Sequence, residues 1–227
     1  MLSPEEIADR LHAVRERICS AASRAGRPAE AVRLVLASKT QLPATLAAAF
    51  AVGARDFGEN YVQEAVAKRA ALAGYDVRWH LIGHLQSNKA HIAAQTFDCI
   101  QTLDNQRLAS ALSRHRSTKM PVLIEINIGD ESTKDGIAPE SAESLINAIR
   151  RDVEVRGLMT IPPAVANPEA ARPYFCRLRE LRDRLASTTG LALSELSMGM
   201  TDDFEAAIAE GATIVRVGRA VFGERTT

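Results

Sequence analysis

A lysine at the end of a buried strand is the residue in this sequence best suited to covalent chemistry. Lys39 directly follows the apolar segment 32–38, whose aliphatic composition predicts a strand covered on both faces. A residue just beyond such a strand emerges at the carboxyl edge of the sheet, where α/β proteins bind their ligands. Partial burial lowers the pKa of an amine, and a neutral amine forms Schiff bases with aldehydes. On this segment alone, the alternative is a lysine whose ammonium group reaches solvent.

Two glycine-containing segments follow predicted strands late in the chain and suit a phosphate group. Ser197, Met198 and Gly199 follow the seventh predicted strand, and Gly218 and Arg219 follow the eighth. Glycine lets the backbone approach a ligand closely, and the first amides of a helix favour an anion. Barrel proteins often hold phosphate at these two places, so we expect a phosphate site here. Each segment taken alone is more typical of an ordinary tight turn.

Two further polar residues lie where a ligand could contact them. Arg216 interrupts the apolar strand at residues 213–217, where a charge is tolerated only if it is paired or bound to a ligand. A buried ion pair with a carboxylate is the equally supported alternative. Asn60 follows the strand end at residues 57–59, and its amide could donate to an aromatic hydroxyl or cap the next helix.

A regular alternation of strands and helices positions these side chains. Strands are predicted at residues 32–38, 54–57, 77–82, 97–103, 121–128, 153–159, 193–197 and 213–217. A first helix is predicted to open with a capping box at Ser3 and Glu6. Further helices are predicted at residues 42–52, 61–73, 104–116, 139–151, 168–187 and 201–210, and one more begins at residue 87. Asp104 is the predicted cap of the helix at 104–116. Eight alternating units predict a single (β/α)8 TIM barrel with an extra N-terminal helix, in one domain over residues 1–227. A doubly wound open sheet is the alternative.

The composition is that of a soluble globular domain and excludes several classes. Basic and acidic residues cancel at 28 each, which is atypical of nucleic-acid-binding proteins and polybasic membrane anchors. No apolar run approaches the roughly 18 residues of a membrane helix, and residues 3–6 open a helix rather than a signal peptide. Three widely spaced cysteines are typical of reduced thiols, so we expect a cytoplasmic location. His80 and His84 straddle a strand end, so no metal site is predicted.

Six segments, in order along the chain, resemble the pyridoxal phosphate homeostasis protein family. They are LASK (36–39), FGENY (57–61), WHLIGHLQSNK (79–89), GLMT (157–160), SMGM (197–200) and VRVG (215–218). The resemblance implies one barrel similar to the N-terminal domain of alanine racemase, with pyridoxal 5′-phosphate held as a Schiff base on Lys39. It implies a cofactor site made of Lys39, Asn60, Ser197, Met198, Gly199, Arg216, Gly218 and Arg219. Within that site, Arg216 is expected near the pyridine nitrogen and Asn60 near the ring substituents, with phosphate contacts from Ser197, Gly199, Gly218 and the adjacent backbone.

The resemblance and the residues together favour a cofactor carrier over an enzyme. A protonated ring nitrogen makes the cofactor a strong electron sink, and the guanidinium of Arg216 cannot supply that proton. A racemase also needs a second acid or base, which alanine racemase takes from the C-terminal domain of its partner subunit. This sequence ends at Thr227, and none of Tyr61, Tyr75 and Tyr174 is obviously placed for that role.

We therefore expect a monomer that holds the cofactor and releases it to apo-enzymes through transient contacts, so regulating cofactor and amino-acid pools without robust turnover. No catalytic residue is assigned. A small racemase that works without the second domain is the alternative, and a barrel that binds some other phosphate ligand is a third hypothesis.

Overall fold

In a computed structural model, the chain forms a closed barrel of eight parallel strands surrounded by helices. The structure describes residues 2–131 and 133–224, so both limits of the predicted domain lie outside the described residues. The strands are β1 (Arg33–Ala37), β2 (Asp56–Glu59), β3 (Arg78–Leu81), β4 (Cys99–Leu103), β5 (Pro121–Glu125), β6 (Glu154–Met159), β7 (Glu195–Ser197) and β8 (Ile214–Val217). The helices are α1 (Pro4–Arg24), α2 (Pro43–Ala51), α3 (Val62–Ala71), α4 (Ala90–Thr96), α5 (Gln106–Ser113), α6 (Ala142–Ile149), α7 (Arg172–Thr189), α8 (Phe204–Ala209) and α9 (Arg219–Phe222).

Each strand pairs in parallel with the next one along the chain, and the last strand pairs with the first. In the closing pair, Arg33 lies beside Ile214 and Leu36 beside Val217. The prediction of a (β/α)8 barrel with an extra N-terminal helix is thus confirmed, and the open sheet is ruled out. Because all strands run the same way, the carboxyl ends of β1, β2, β7 and β8 meet at one face of the barrel.

The N-terminal helix α1 packs across the outside of the barrel, against α2, α8 and α9. Its predicted capping box is present. The Glu6 amide donates a hydrogen bond to the Ser3 hydroxyl at 3.1 Å, and the Ser3 amide donates one to the Glu6 carboxylate at 2.7 Å. The buried face of α1 includes all four of its predicted apolar positions, which are Ile7, Leu11, Val14 and Ile18. No helix in residues 2–131 and 133–224 has the length and apolar character needed to span a bilayer.

Several helices begin later than the sequence predicts, and one helix is not predicted. Helices α4, α6 and α7 begin three or four residues late, because a short 3-10 helix occupies each predicted start. The cap of α5 is Asn105 rather than Asp104, because the Asn105 side chain accepts the Leu108 amide at 2.8 Å. Helix α8 begins three residues later than predicted, since the Asp203 carboxylate accepts the Met200 amide at 2.6 Å and holds residues 201–203 as a turn. The sequence predicts no helix after the eighth strand, whereas the short helix α9 follows β8 directly.

The interior of the barrel has an apolar layer of its own. This interior layer consists of Val35, Cys99, Leu123, Met159 and Ile214. Burial, and then the negative charge of Glu195, raise the pKa of the Cys99 thiol to about 12, so this thiol is a packing group rather than a nucleophile. All three cysteines are free thiols, as expected from their spacing.

A buried ion pair supports the first two strands. Lys68 of α3 and Glu59 at the end of β2 are 5% and 0% exposed, and Lys68 Nζ lies 2.7 Å from Glu59 Oε1. The same ammonium group donates to the carbonyl oxygen of Ser38 at 2.7 Å and to Glu64 Oε2 at 3.2 Å. The Ser38 hydroxyl also donates to Glu59 Oε1, at 2.6 Å. One lysine therefore joins the end of β1, the end of β2 and helix α3.

Replacing Lys68 with methionine removes this cation but keeps the length of the side chain. Glu59 is then left buried without a counter-ion, so we expect the free energy of unfolding to fall by about 3–5 kcal/mol. Burial already raises the pKa of Glu59, against the pull of Lys68 and Ser38, and loss of Lys68 raises it further. A folded state that holds a proton more tightly than the unfolded state gains stability as pH falls, so the deficit of Lys68→Met shrinks toward acidic pH.

Urea denaturation of wild type and variant across pH 5–8 measures this effect. Arg107→Met, which removes an exposed cation from α5, is the matched control and should change stability by less than about 0.5 kcal/mol. A deficit for Lys68→Met that does not change with pH would contradict the role assigned to Glu59.

Candidate functional site

A pocket of about 240 Å³ opens at the carboxyl end of the barrel. It is lined by five of the eight residues predicted for the site, which are Lys39, Asn60, Arg216, Gly218 and Arg219. The rest of its lining consists of Ala37, Gln41, Ile82, Ile161, Met200, Thr201, Asp202, Phe222 and Gly223. The pocket thus combines three cationic side chains with a largely apolar wall, and Asp202 is the one acid among these lining residues.

Lys39 lies in a tight turn just after β1 and is half-buried in the pocket wall. The next residue, Thr40, has a φ of 66°, which is uncommon for a β-branched residue. Its amide donates to Glu64 Oε2 at 3.0 Å, and this bond holds the turn in place. Burial tends to raise the pKa of the Glu64 carboxylate. The Thr40 amide and the charges of Lys68 and Lys39 outweigh this effect and hold that pKa below its usual value.

Lys68 and Glu64 are functional-site residues that the sequence reasoning missed. Lys68 fixes the carbonyl group of Ser38, and Glu64 fixes the amide of Thr40, so the two residues hold both neighbours of Lys39. The available signal is their spacing of four residues on a predicted helix, which brings side chains together on one face. That spacing alone does not reveal which turn the pair contacts.

Asn60 follows β2 and contributes to the pocket wall. The cap position of helix α3 belongs to Tyr61, and no side chain makes a capping bond there, so Asn60 does not have the capping role that was the alternative. A Cβ atom at Gly83 would lie 2.5 Å from the Asn60 carbonyl oxygen. Glycine is therefore required at position 83 for the turn that carries Asn60.

The segment at the end of β7 lies only partly in the pocket wall. Ser197 and Met198 are fully buried, and neither they nor Gly199 line the pocket, whereas residues 200–202 do. Gly199 has a φ of 91°, and a Cβ atom there would lie 2.6 Å from the Cβ of Ala207. Glycine at this position thus serves the packing of the turn against α8.

The segment after β8 lies in the pocket wall. Gly218 lies against β1, where a Cβ atom would come within 3.1 Å of the Ala37 carbonyl oxygen. The guanidinium of Arg219 forms an ion pair with Asp202 from the turn after β7 and lies 3.5 Å from Glu224. The mouth of the pocket is therefore bordered by an ion pair that joins these two segments.

Arg216 is buried, at 4% exposed, and its guanidinium is held by two oxygen acceptors. One nitrogen donates to Ser197 Oγ at 2.6 Å and another to the carbonyl oxygen of Thr160 at 2.8 Å. No carboxylate in residues 2–131 and 133–224 forms an ion pair with it, so the buried ion pair that was the alternative is absent there. Burial lowers the pKa of Arg216 to about 10, against the charges of Glu125 and Asp203. Arg216 is therefore still a cation at neutral pH.

A continuous series of hydrogen bonds, the interior hydrogen-bonded chain, runs from Arg216 through the barrel. It joins Arg216, Ser197, Gln101, His80 and Asp56, which lie on five different strands. The steps after Arg216 measure 2.6 Å from Ser197 Oγ to Gln101 Oε1, 3.1 Å from Gln101 Nε2 to His80 Nδ1, and 2.9 Å from His80 Nε2 to Asp56 Oδ1. Among the described residues, no group of three histidine, cysteine, aspartate or glutamate side chains is arranged to hold a metal ion.

The two end residues of the interior hydrogen-bonded chain determine in which direction its hydrogen bonds are donated. Arg216 only donates hydrogen bonds, and an ionised Asp56 only accepts them. Burial of Asp56 opposes its ionisation, but hydrogen bonds from His80 and Arg78 hold its pKa below the usual value. Every donor then points the same way, and His80 carries its proton on Nε2. The orientation of the Arg216 guanidinium is thereby coupled to a carboxylate at the start of β2.

Comparison with known proteins places this barrel in a family. The model of the family described as alanine racemase, N-terminal domain, matches residues 10–226. A pyridoxal phosphate homeostasis protein of Aquifex aeolicus (strain VF5) is 46% identical over 222 residues, which cover 96% of this chain and 97% of the relative.

Two solved structures have the same fold over almost their whole length. A crystal structure of an unknown protein from Bifidobacterium adolescentis has a TM-score of 0.89 and 38% identity, and covers 98% of each chain. PipY of Synechococcus elongatus PCC7942, solved with PLP bound, has a TM-score of 0.81 and 36% identity, and covers 96% of this chain and 100% of that chain. From its sequence and its fold, the chain belongs to the alanine racemase N-terminal domain family and, within it, to the pyridoxal phosphate homeostasis proteins.

Proposed function

We propose that this chain binds pyridoxal 5′-phosphate in the pocket at the carboxyl end of the barrel and acts in homeostasis of that cofactor. The observation that carries the proposal is a half-buried lysine, Lys39, in a pocket that also contains the cations Arg216 and Arg219. The name of the Aquifex relative and the PLP-bound structure of PipY support the same cofactor.

The residues of the pocket fit this cofactor. When bound, it supplies an aldehyde that condenses with an amine, a phosphate dianion, and an aromatic ring that withdraws electrons. Lys39 provides the amine, and the cationic lining suits the dianion. Ile82, Ile161 and Met200 provide apolar surface for a ring. Gly218 lines the pocket without a side chain, so a ligand can approach its backbone closely.

We assign the following roles to residues of this site. Lys39 Nζ would hold the cofactor covalently, Asn60 would contact its ring substituents, and Gly218 and Arg219 would hold its phosphate. Arg216, oriented by Ser197, would serve the ring nitrogen. The phosphate contacts expected of Ser197, Met198 and Gly199 stay a prediction, because these residues do not line the pocket.

The chemistry of Arg216 favours a carrier over a racemase. A guanidinium that stays charged at neutral pH donates a hydrogen bond but keeps its proton, so the ring remains a weak electron sink. A racemase also needs a proton donor or acceptor on each face of its substrate. None of the three tyrosines of the chain is among the described residues that line the pocket, which supports holding and release of the cofactor without turnover.

The setting of this function is part of the same proposal. We propose one cofactor-binding domain over residues 1–227, acting as a monomer in the cytoplasm and handing the cofactor to apo-enzymes through transient contacts. Three free thiols and a net charge of zero support a cytoplasmic location without nucleic-acid or membrane partners.

The first prediction concerns the covalent bond. Purified protein mixed with pyridoxal phosphate should develop a visible absorbance band that borohydride removes, and peptide mapping should find the pyridoxyl group on Lys39. Lys39→Ala should lose the borohydride-sensitive band, whereas the control Lys89→Ala should keep it. A pyridoxyl group mapped mainly to any other lysine would count against the proposed site.

The second prediction separates the carrier from the racemase. Loaded protein should restore the activity of an apo-enzyme that depends on pyridoxal phosphate, even when a phosphatase removes free cofactor. Deuterium exchange at the α-carbon of alanine should be no faster than with free cofactor, because the electron sink is weak. Rapid exchange that disappears in Lys39→Ala would establish the racemase instead.

The third prediction concerns the interior hydrogen-bonded chain. Gln101→Met leaves the Ser197 hydroxyl and His80 Nδ1 without their partner, so unfolding free energy should fall by about 1–3 kcal/mol. Because Ser197 is then no longer held by Gln101, it orients Arg216 less firmly, and the dissociation constant of the cofactor should rise about tenfold, or about 1.4 kcal/mol. Gln101 does not line the pocket, so this loss of affinity is transmitted through its neighbours.

Equilibrium titration with pyridoxal phosphate, under conditions where circular dichroism shows both proteins folded, measures this effect. Gln95→Met replaces an exposed glutamine and is the matched control. If Gln101→Met is less stable but binds the cofactor with unchanged affinity, the interior hydrogen-bonded chain has a role in stability alone.

A further inference from the structure

A second chamber lies beside the cofactor pocket, at the carboxyl ends of β5 and β6. Its volume is about 230 Å³, and it is lined by Glu125, Ile126, Thr133, Lys134, Asp135 and Ile161. Ile161 also lines the cofactor pocket, so the two cavities share a wall. The function proposed above makes no use of this chamber.

The last residue of β5 places a buried carboxyl group in the wall of this chamber. Glu125 is 6% exposed, and its Oε2 atom makes no hydrogen bond to any residue that the structure describes. Folded proteins rarely leave such a group unpaired, because a buried polar atom without a partner costs free energy. The loop after β5 packs closely against this side chain, since a Cβ atom at Gly136 would lie 3.0 Å from Glu125 Cγ.

The cations near this carboxyl group already have partners. Arg216 donates to Ser197 and to Thr160. Lys134 Nζ lies 2.6 Å from a Glu131 oxygen and donates to the Pro162 carbonyl oxygen at 3.0 Å.

The other titratable groups around the chamber add to its negative charge. Asp104 after β4 and Asp135 after β5 lie near Glu125, and His84 lies 3.9 Å from Asp104 and 3.6 Å from Asp135. Burial, then the charges of Asp135 and Asp104, raise the pKa of Glu125 to about 7, against the opposing charge of Arg216. At neutral pH, a large share of Glu125 is therefore the uncharged acid. A cation that enters the chamber is paired with a carboxylate only after Glu125 has lost its proton.

We propose that this chamber binds the primary ammonium group of a small molecule, with Glu125 as its counter-ion. An ammonium group supplies a positive charge and three hydrogen-bond donors, which suit the unpaired Oε2 of Glu125. A free amino acid and a simple alkylamine share this chemistry. The site goes beyond the cofactor function, and it places a bound amine one side chain away from the pocket of Lys39.

Binding of an ammonium ion to this site releases the proton of Glu125. The affinity should therefore be constant well above pH 7 and fall by about tenfold per pH unit well below it, until acid unfolds the protein. The released fraction of a proton should approach one near pH 6 and fall toward zero above pH 8. A ligand that does not require ionised Glu125 shows neither effect.

The experiment uses protein loaded with pyridoxal phosphate and reduced with borohydride, so that no aldehyde is left to react with an added amine. Calorimetric titration with methylammonium chloride, in two buffers of different ionisation enthalpy at pH 6 and pH 8, gives both the affinity and the proton release. Parallel titrations with L-alanine, propionate and potassium chloride distinguish an amino acid and an alkylamine from a carboxylate or a bare cation. Peptide mapping of the reduced protein reports separately on the cofactor site, so its failure is distinguishable from failure here.

Glu125→Gln keeps the size of the side chain and removes its charge. We expect it to bind methylammonium at least tenfold more weakly than wild type at pH 8 and to show no proton release at pH 6, while the exposed control Glu143→Gln behaves as wild type at both pH values. L-alanine binding at least as well as methylammonium identifies the amino acid as the better ligand, and the reverse order identifies the alkylamine. Equal binding of potassium, binding of propionate in place of amines, or no amine binding at millimolar concentration overturns the proposal.

Wild type alone also decides the matter if Glu125→Gln fails to fold. The ¹³C NMR signal of the Glu125 side-chain carboxyl should move from its acid to its carboxylate position when methylammonium is added at pH 6. A signal that stays at its acid position while the amine binds elsewhere overturns the proposal.

Discussion

The pocket at the carboxyl end of the barrel depends on one buried cation, Arg216, that must be held without a carboxylate. Arg216 is held by the Ser197 hydroxyl and the Thr160 carbonyl group, and Ser197 is in turn held by Gln101. A barrel interior normally closes with packed aliphatic side chains. Here, the apolar interior layer around Leu123 accounts for only part of that space, and a polar series of side chains occupies the rest. Because each member has a partner on both sides, the series is stable in a medium where an unpaired polar group is costly.

The position of Lys39 depends on a separate set of contacts. Lys39 is in a turn whose next residue has a backbone conformation that threonine rarely adopts. Lys68 and Glu64 of α3 hold the residues on either side of it, so the helix that follows β2 stabilises the turn that follows β1. The two sets of contacts share no side chain, so a substitution can remove a hydrogen bond of one set without removing any of the other.

Most of the fold was predictable from the sequence, because each βα unit has its own local pattern. The apolar segment before Lys39 and the glycines at strand ends locate the strands to within a few residues, and eight such units imply a closed barrel. The interior hydrogen-bonded chain was not predictable in this way. His80, Gln101 and Ser197 are far apart in the sequence, and only the pairing register of their strands brings them together.

Glu125 illustrates the same limit. It lies in the most continuous β-branched segment of the chain, which predicted a strand to residue 128, whereas β5 ends at Glu125 itself. A strand pattern tells which residues are buried, but not which of two buried faces is the inside of the barrel. The hydrogen bonds of Ser197 to Arg216 and Gln101 could not be predicted for the same reason, because they depend on which side chains share the inside of the barrel.

The burial of Cys99 has a consequence for chemical selectivity. Thiolates add readily to aldehydes, and a cysteine on an interior strand below the pocket would compete with an amine for the same electrophile. With a pKa of about 12, Cys99 is almost entirely in its unreactive thiol form, enclosed by the aliphatic side chains around it. An aldehyde held in the pocket would therefore find Cys99 neither accessible nor ionised, and the same enclosure makes Cys99 resistant to oxidation.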